Sequence, residues 1–227
     1  MFKKTDPDSI PLDQGLRKAK RPLDILWSNF VGVEGRDPSK VRIFFTSPWH
    51  GEGTTTVACS AALGLARNLS DGVALVETNF FAPAMAGYLG LEPTPGITDV
   101  IDGKARPEEA IQNSRVPGLY VLGAGTRRDP KQGELQSAAA QELFLKVVQG
   151  RRYVLIDGPP ILERPQARIQ LDLADWVVLV LRARSTKKSE AKQALAVIEE
   201  AGLPVLGAIV NRFQSDMPFG IGAKAWQ

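Results

Sequence analysis

Short uninterrupted apolar runs recur along this chain: Val41–Thr46, Val73–Glu77, Leu119–Leu122, Tyr153–Ile156, Trp176–Leu181 and Val205–Val210. They lack the alternation of polar and apolar residues that marks a half-exposed strand. A strand of this character is buried on both faces, as in a parallel sheet covered by helices. The segments between the runs are long, and several carry helical spacing: Val57 to Leu69, Ala138–Val148, Gln166–Leu173 and Lys188–Ala201. Long connections force parallel pairing through right-handed crossovers. The expected fold class is therefore α/β, a doubly wound, mostly parallel sheet with helices on both faces. In such sheets ligands bind beyond the carboxyl ends of the strands. That rule gathers residues 46–56, Glu77–Asn79, Asp157–Pro160 and Asn211–Arg212 along one rim.

Composition excludes several function classes. The chain has 227 residues, 44% hydrophobic and 23% charged, which fits one globular domain. Its expected organisation is a polar arm over 1–20, a domain over 21–213 and a tail over 214–227. Within the domain's first stretch, Leu23, Leu26, Trp27 and Phe30 share one face of a helix, ready to pack on the sheet or on a partner. Cys59 is the only cysteine and His50 the only histidine, which rules out an internal disulfide and a cysteine metal cluster and nearly excludes a Ser/His or His-metal site. A net charge of +3 is too small to argue for nucleic acid. No apolar run is long enough to span a bilayer, and Met1-Phe-Lys-Lys-Thr-Asp6 has no apolar leader, so a cytoplasmic location is expected.

The first apolar run feeds Thr46-Ser-Pro-Trp-His-Gly-Glu-Gly-Thr-Thr-Thr56, and an Ala/Leu-rich helical segment leaves it. Strand, glycine loop and helix form the context of a phosphate-binding loop. Gly51 and Gly53 allow backbone angles at which successive N–H groups point inward as an anion nest, and the helix adds its own unpaired N–H groups. Gly51, Glu52, Gly53, Thr54, Thr55 and Thr56 are the candidate nucleotide-binding residues. The usual pattern places Lys after the last glycine; here that position is Thr54. Thr55 stands where the loop hydroxyl ligates Mg²⁺. A plain strand-to-helix turn is the competing reading of Gly-Glu-Gly. Asp157 ends an apolar strand ahead of Gly158-Pro-Pro160, where P-loop proteins keep a metal-facing carboxylate. Asp157 is thus the second candidate metal residue, beside Thr55.

These motifs resemble those of the cytoplasmic tyrosine autokinases of bacterial capsule and exopolysaccharide systems, within the deviant P-loop group that includes the MinD and ParA ATPases. That family shows Thr-Ser-x-x-Pro-Gly-Glu-Gly-Lys-Ser-Thr at the loop. Tyr153-Val-Leu-Ile-Asp-Gly-Pro-Pro160, Gly96-Ile-Thr-Asp-Val-Ile-Asp-Gly103 and Val205-Leu-Gly-Ala-Ile-Val-Asn-Arg212 are similar to three further family motifs. The resemblance implies ATP or ADP with Mg²⁺ as cofactor, with Asn211 facing the base and Arg212 beside it. It implies a partner too, the cytosolic segment of an inner-membrane polysaccharide co-polymerase, and with it a place at the inner face of the membrane; self-association is a further option.

The departures are patterned. Both aspartates of the family's second acidic motif are altered, to Glu77 and Asn79, and its two arginines become Phe81 and Ala82. Glu77 and Asp157 remain the candidate catalytic residues; Asn79 carries no charge and makes a poor base. The family's early Glu-x-x-Arg-x-x-Arg motif falls on Arg21, Asp24 and Trp27 and is absent, and the tail from Phe213 to Gln227 has no tyrosine. Trp49, Phe80 and Phe81 put aromatic surface where the family keeps charge. The resemblance, taken with these departures, implies a kinase-like domain with impaired catalysis that regulates a co-polymerase. The alternatives are an active ATP-dependent tyrosine autokinase with a relocated cation, drawn from Arg182, Arg184, Lys187 or Lys188, and a MinD/ParA-type positioning ATPase.

Overall fold

The computed structural model describes residues 35, 37, 39–128, 130–131 and 133–212. The expected arm over 1–20, the helix over 23–33 and the tail over 214–227 lie outside the described residues. Strands β1 (Val41–Thr46), β2 (Val73–Glu77), β3 (Ile111–Asn113), β4 (Leu119–Leu122), β5 (Tyr153–Asp157), β6 (Trp176–Arg182) and β7 (Val205–Asn211) form one sheet in the order β3-β4-β2-β5-β1-β6-β7. Every pairing is parallel except β3 with β4, which is antiparallel. The sheet is thus mostly parallel, as expected, with one antiparallel edge strand that the apolar runs did not indicate. The connection from β3 to β4 is too short for a crossover and closes as a hairpin.

Helix α1 (Thr54–Asn68) follows the loop after β1, and α2 (Met85–Leu89) follows β2. Both pack on one face of the sheet, against Val41, Ile43, Phe45, Leu75 and Leu155. Ala58, Cys59, Ala61 and Ala62 are all buried there, and small side chains let α1 lie close to the strands. The other face carries α3 (Ile97–Ile101), α4 (Pro107–Ala110), α5 (Ala138–Val148), α6 (Pro165–Gln170) and α7 (Lys188–Glu200), packed on Phe44, Val76, Val154 and Ile156. Burial of β1, β2 and β5 from both sides is what their unbroken apolar character demands. The expected helix over Gln166–Leu173 breaks after Gln170 into a 3₁₀ turn, Leu171–Leu173.

The strand order places β5 between β1 and β2, so the chain reverses its direction of winding beside β1. The carboxyl ends of β1, β5 and β2 therefore open onto one crevice, where ligands of such sheets sit.

Candidate functional site

The loop leaves β1 at Thr46 and turns into α1 through two glycines in the left-handed region, Gly51 at φ 84° and Gly53 at φ 94°. Gly53 is also the N-terminal cap of α1 and has no side-chain partner for the helix. The positive φ favours glycine there, and a methyl group would stand 2.1 Å from the Asn211 amide nitrogen and push that side chain aside. Among the described residues, the N–H groups of Gly53, Thr54, Thr55 and Thr56 have no acceptor, and the helix begins its own ladder with Val57 N–H on Gly53 O at 3.0 Å. Orphan donors at a helix start form an anion site.

Side chains from elsewhere hold this loop in place. The Asn211 amide at the end of β7 donates to Glu52 O (2.9 Å), and its Oδ1 accepts from Arg212 N–H (2.8 Å). Glu52 is buried; one carboxylate oxygen accepts from Thr186 Oγ1 (2.5 Å) and the other has no partner among the described residues. Burial pushes the Glu52 carboxyl up, and the Thr186 hydroxyl and Trp49 N–H partly oppose this. Glu163 accepts from His50 N–H at 3.2 Å. Thr54, in the lysine position, donates its hydroxyl to Ser47 Oγ (3.0 Å), which donates to Trp49 O (2.9 Å). Thr186 was not singled out from the sequence; its position just ahead of the N-terminus of α7 was the only available signal.

Glu77 and Asp157 end neighbouring strands in direct register. Asp157 is fully buried, and among the described residues neither carboxylate oxygen has a hydrogen-bond partner within bonding geometry. Burial, then the facing Glu77 carboxylate, push its acid well above the usual range; the nearby Thr55 hydroxyl pulls weakly the other way. Two buried acceptors without donors, beside a hydroxyl, suit a divalent cation, which takes oxygen ligands and restores the charged form. Glu77 is arranged differently. Its Oε1 accepts from Ala84 N–H (2.6 Å) and Met85 N–H (2.9 Å), and Oε2 from Ala124 N–H (3.4 Å). Burial raises its acid, and these three donors offset part of the rise. Cys59 lies behind the pair; burial and then the two carboxylates push its thiol well up, leaving it inert.

The structure thus brings together the loop, Asp157, Glu77 and Asn211. The remaining candidates lie around that cluster. Asn79 is buried and accepts from Ala82 N–H at 3.4 Å. Phe80 is buried in the core on the face away from α1, whereas Phe81 is 37% exposed under the Arg164 guanidinium at 3.3 Å. Trp49 is 39% exposed. Arg184, Lys187 and Lys188 are exposed, and Arg182, at the end of β6, is close enough to Glu52 to lower its acid slightly.

No protein-family model matches the chain. Individual relatives do. The chain is 32% identical over 170 residues to the tyrosine-protein kinase YwqD of Bacillus subtilis, covering 74% of this chain and 71% of that one. Among solved structures, the VpsO kinase domain superposes with a TM-score of 0.74 at 25% identity, covering 89% of this chain and 98% of that one. The septum site-determining protein MinD of Pyrococcus horikoshii, complexed with Mg-ADP, shares the fold at a TM-score of 0.61 and 23% identity, over 79% and 74% of the two chains. The glycine loop at the head of a doubly wound sheet, the buried aspartate at the end of β5 and the extent of these matches agree: the chain belongs to the bacterial tyrosine-protein kinase family with a MinD-like P-loop fold.

Proposed function

We propose that this chain is a nucleotide-responsive, catalytically impaired member of its family. It acts in exopolysaccharide or capsule biosynthesis as a cytoplasmic regulatory partner of the cytosolic segment of a membrane polysaccharide co-polymerase. The observation that carries the reading is the state of position 54. The cradle has its glycine angles and its orphan N–H groups, yet its lysine position holds a threonine whose hydroxyl is bonded to Ser47. Phosphoryl transfer depends almost entirely on positioning and charge stabilisation, so loss of that cation weighs more on transfer than on binding.

Thr55 and Asp157 are the residues that would hold Mg²⁺, and the N–H groups of Gly53–Thr56 those that would hold phosphate. Bound Mg-nucleotide supplies the reactive phosphorus and part of the charge neutralisation. The chain's own groups bind and orient it. Thr54 adds no charge, Glu77 turns its oxygens to backbone N–H groups, and Asn79 is neutral, so no free carboxylate stands ready as base on the β2 side. Docking on a co-polymerase needs none of this chemistry.

Incubation with labelled ATP and Mg²⁺ tests impairment: no incorporation into the chain is expected, while calorimetry or thermal shift detects nucleotide binding. Capture of the chain by the co-polymerase's cytosolic segment tests the partner, and no interaction in any nucleotide state defeats it. A second reading, an active autokinase with a relocated cation, is favoured by the nearness of Arg182 to Glu52. Incorporation of label that disappears in Asp157→Ala would establish it.

A further inference from the structure

On the face away from α1, the helix layer has a gap. Between α5 and the Leu171–Leu173 turn a groove of about 500 Å³ reaches down to Val154 and Ile156 of β5. Phe144, Leu145, Ile169 and Leu173 form its walls, and Leu145 and Ile169 are 69% and 47% exposed. The floor residues Val154 and Ile156 are themselves buried, so what the groove leaves open is the apolar surface of its walls, and exposed apolar surface of this kind marks a contact site.

The described chain begins beside this gap. Asp37, Lys40 and Arg42 line its mouth. Gly35 is pressed against Lys40 O and Asp175 Oδ2, at 2.1 Å and 2.6 Å from where a β-carbon would stand, so the chain passes close to the start of β1. Just upstream, Leu23, Leu26, Trp27 and Phe30 repeat at the spacing of one helical face, with Asp24, Ser28 and Asn29 on the others. Eleven residues in helical form extend about 16 Å, and the five steps from Phe30 to Gly35 reach about 17 Å at most. Tether, length and apolar face all match the gap.

We infer that the segment 23–33 of this chain docks its Leu23/Leu26/Trp27/Phe30 face into the groove between α5 and the Leu171–Leu173 turn of the same molecule. The docked segment braces the site from behind. Ile156, in the groove floor, precedes Asp157. Gln170, in its wall, donates to Thr78 O at 3.2 Å, and Thr78 N–H donates to Asp157 O at 2.8 Å. The inference is independent of whether nucleotide is turned over.

Thiol labelling of the full-length protein tests it, since the one native thiol, Cys59, is buried. Leu26→Cys should react about tenfold or more slowly than Ser28→Cys, as protection by a packed face requires. The difference should be the same in dilute and concentrated protein. Leu145→Arg and Ile169→Arg, at exposed positions that leave the core intact, should each reduce it. Equal rates at the two positions overturn the inference. So does protection that survives both groove substitutions, which places the segment elsewhere, or protection that fades on dilution, which assigns the groove to a second copy. As a second readout, a Phe30→Cys/Leu145→Cys pair should close a disulfide within one chain; a link found only between chains is equally fatal.

Discussion

Asp157 and Glu77 are neighbours in register at the ends of β5 and β2, equally buried, and opposite in what surrounds them. Glu77 is enclosed by backbone donors from Ala84, Met85 and Ala124 and fastens the start of α2. Among the described residues Asp157 has no donor in bonding geometry on either oxygen, and it lies beside the Thr55 hydroxyl of the loop. Burial alone does not decide what a carboxylate does. Backbone donors from within the fold make Glu77 a structural carboxyl group, and Asp157 lacks any such fastening among the described residues. In this family member, one acidic group has been absorbed into the fold and the other is left without hydrogen-bond donors among the described residues.

The largest effect is expected at the absorbed carboxylate. Glu77→Ala leaves buried N–H groups of Ala84, Met85 and Ala124 unpaired, and each unpaired buried donor costs about 1–3 kcal/mol. A loss of roughly 3 kcal/mol in denaturant unfolding is therefore expected, with α2 loosened in hydrogen exchange. A loss under ~1 kcal/mol would show that water replaces the carboxylate there, and the contrast with Asp157 would dissolve.

Next comes the missing cation. Thr54→Lys restores a charge-assisted contact worth about 1.5–3 kcal/mol, so Mg-ATP should bind roughly ten- to a hundredfold more tightly in calorimetry. Transfer should stay low, because no free carboxylate stands on the β2 side. Recovery of phosphate incorporation by this one change would mean that Glu77 leaves its backbone donors in the working state.

Asp157 supplies the third test through pH. Its acid is raised in the folded state, so the native protein holds a proton that the unfolded chain releases. The stability tied to that group is complete below the ordinary carboxylate range and is lost as pH rises through the elevated folded value. Asp157→Asn removes this dependence. The variant should match the wild type below the ordinary carboxylate range and melt at a higher temperature than the wild type at pH 8, with the gap widening as pH rises between the two. Mg-nucleotide should raise the wild-type midpoint and not that of the variant. A constant difference across pH would sink the assignment of Asp157 as an unpaired buried acid.

How much of this was visible in the sequence follows from how local each feature is. The strands, the glycine loop and Asp157 at a strand end are written in contiguous residues, and they appear within a few residues of their expected places. The antiparallel β3 was not visible, because Ile111-Gln-Asn113 has no apolar run and exists only by pairing with β4. The role of Glu77 was equally hidden: its donors stand 7, 8 and 47 residues away and are backbone groups, which any side chain could accompany. The Thr186 clamp on Glu52 spans 134 residues. Spacing rules read neighbours along the chain, and these contacts depend on strand order.

The smallest effect separates two roles for Asn211. Its amide donates to Glu52 O and lies against Gly53, so Asn211→Ala removes one loop fastening, worth about 1 kcal/mol. If Asn211 serves only the loop, the variant should lose affinity equally for Mg-ATP and for Mg-triphosphate, which has no base, because both depend on the same N–H groups. If it also meets the adenine, ATP affinity should fall further than triphosphate affinity, by several-fold. With both its amide nitrogen and Oδ1 already bonded to Glu52 and Arg212, the structure favours equal losses. An excess for ATP would require the amide to change partners on binding, and the end of β7 would then join the loop as a part that responds to nucleotide.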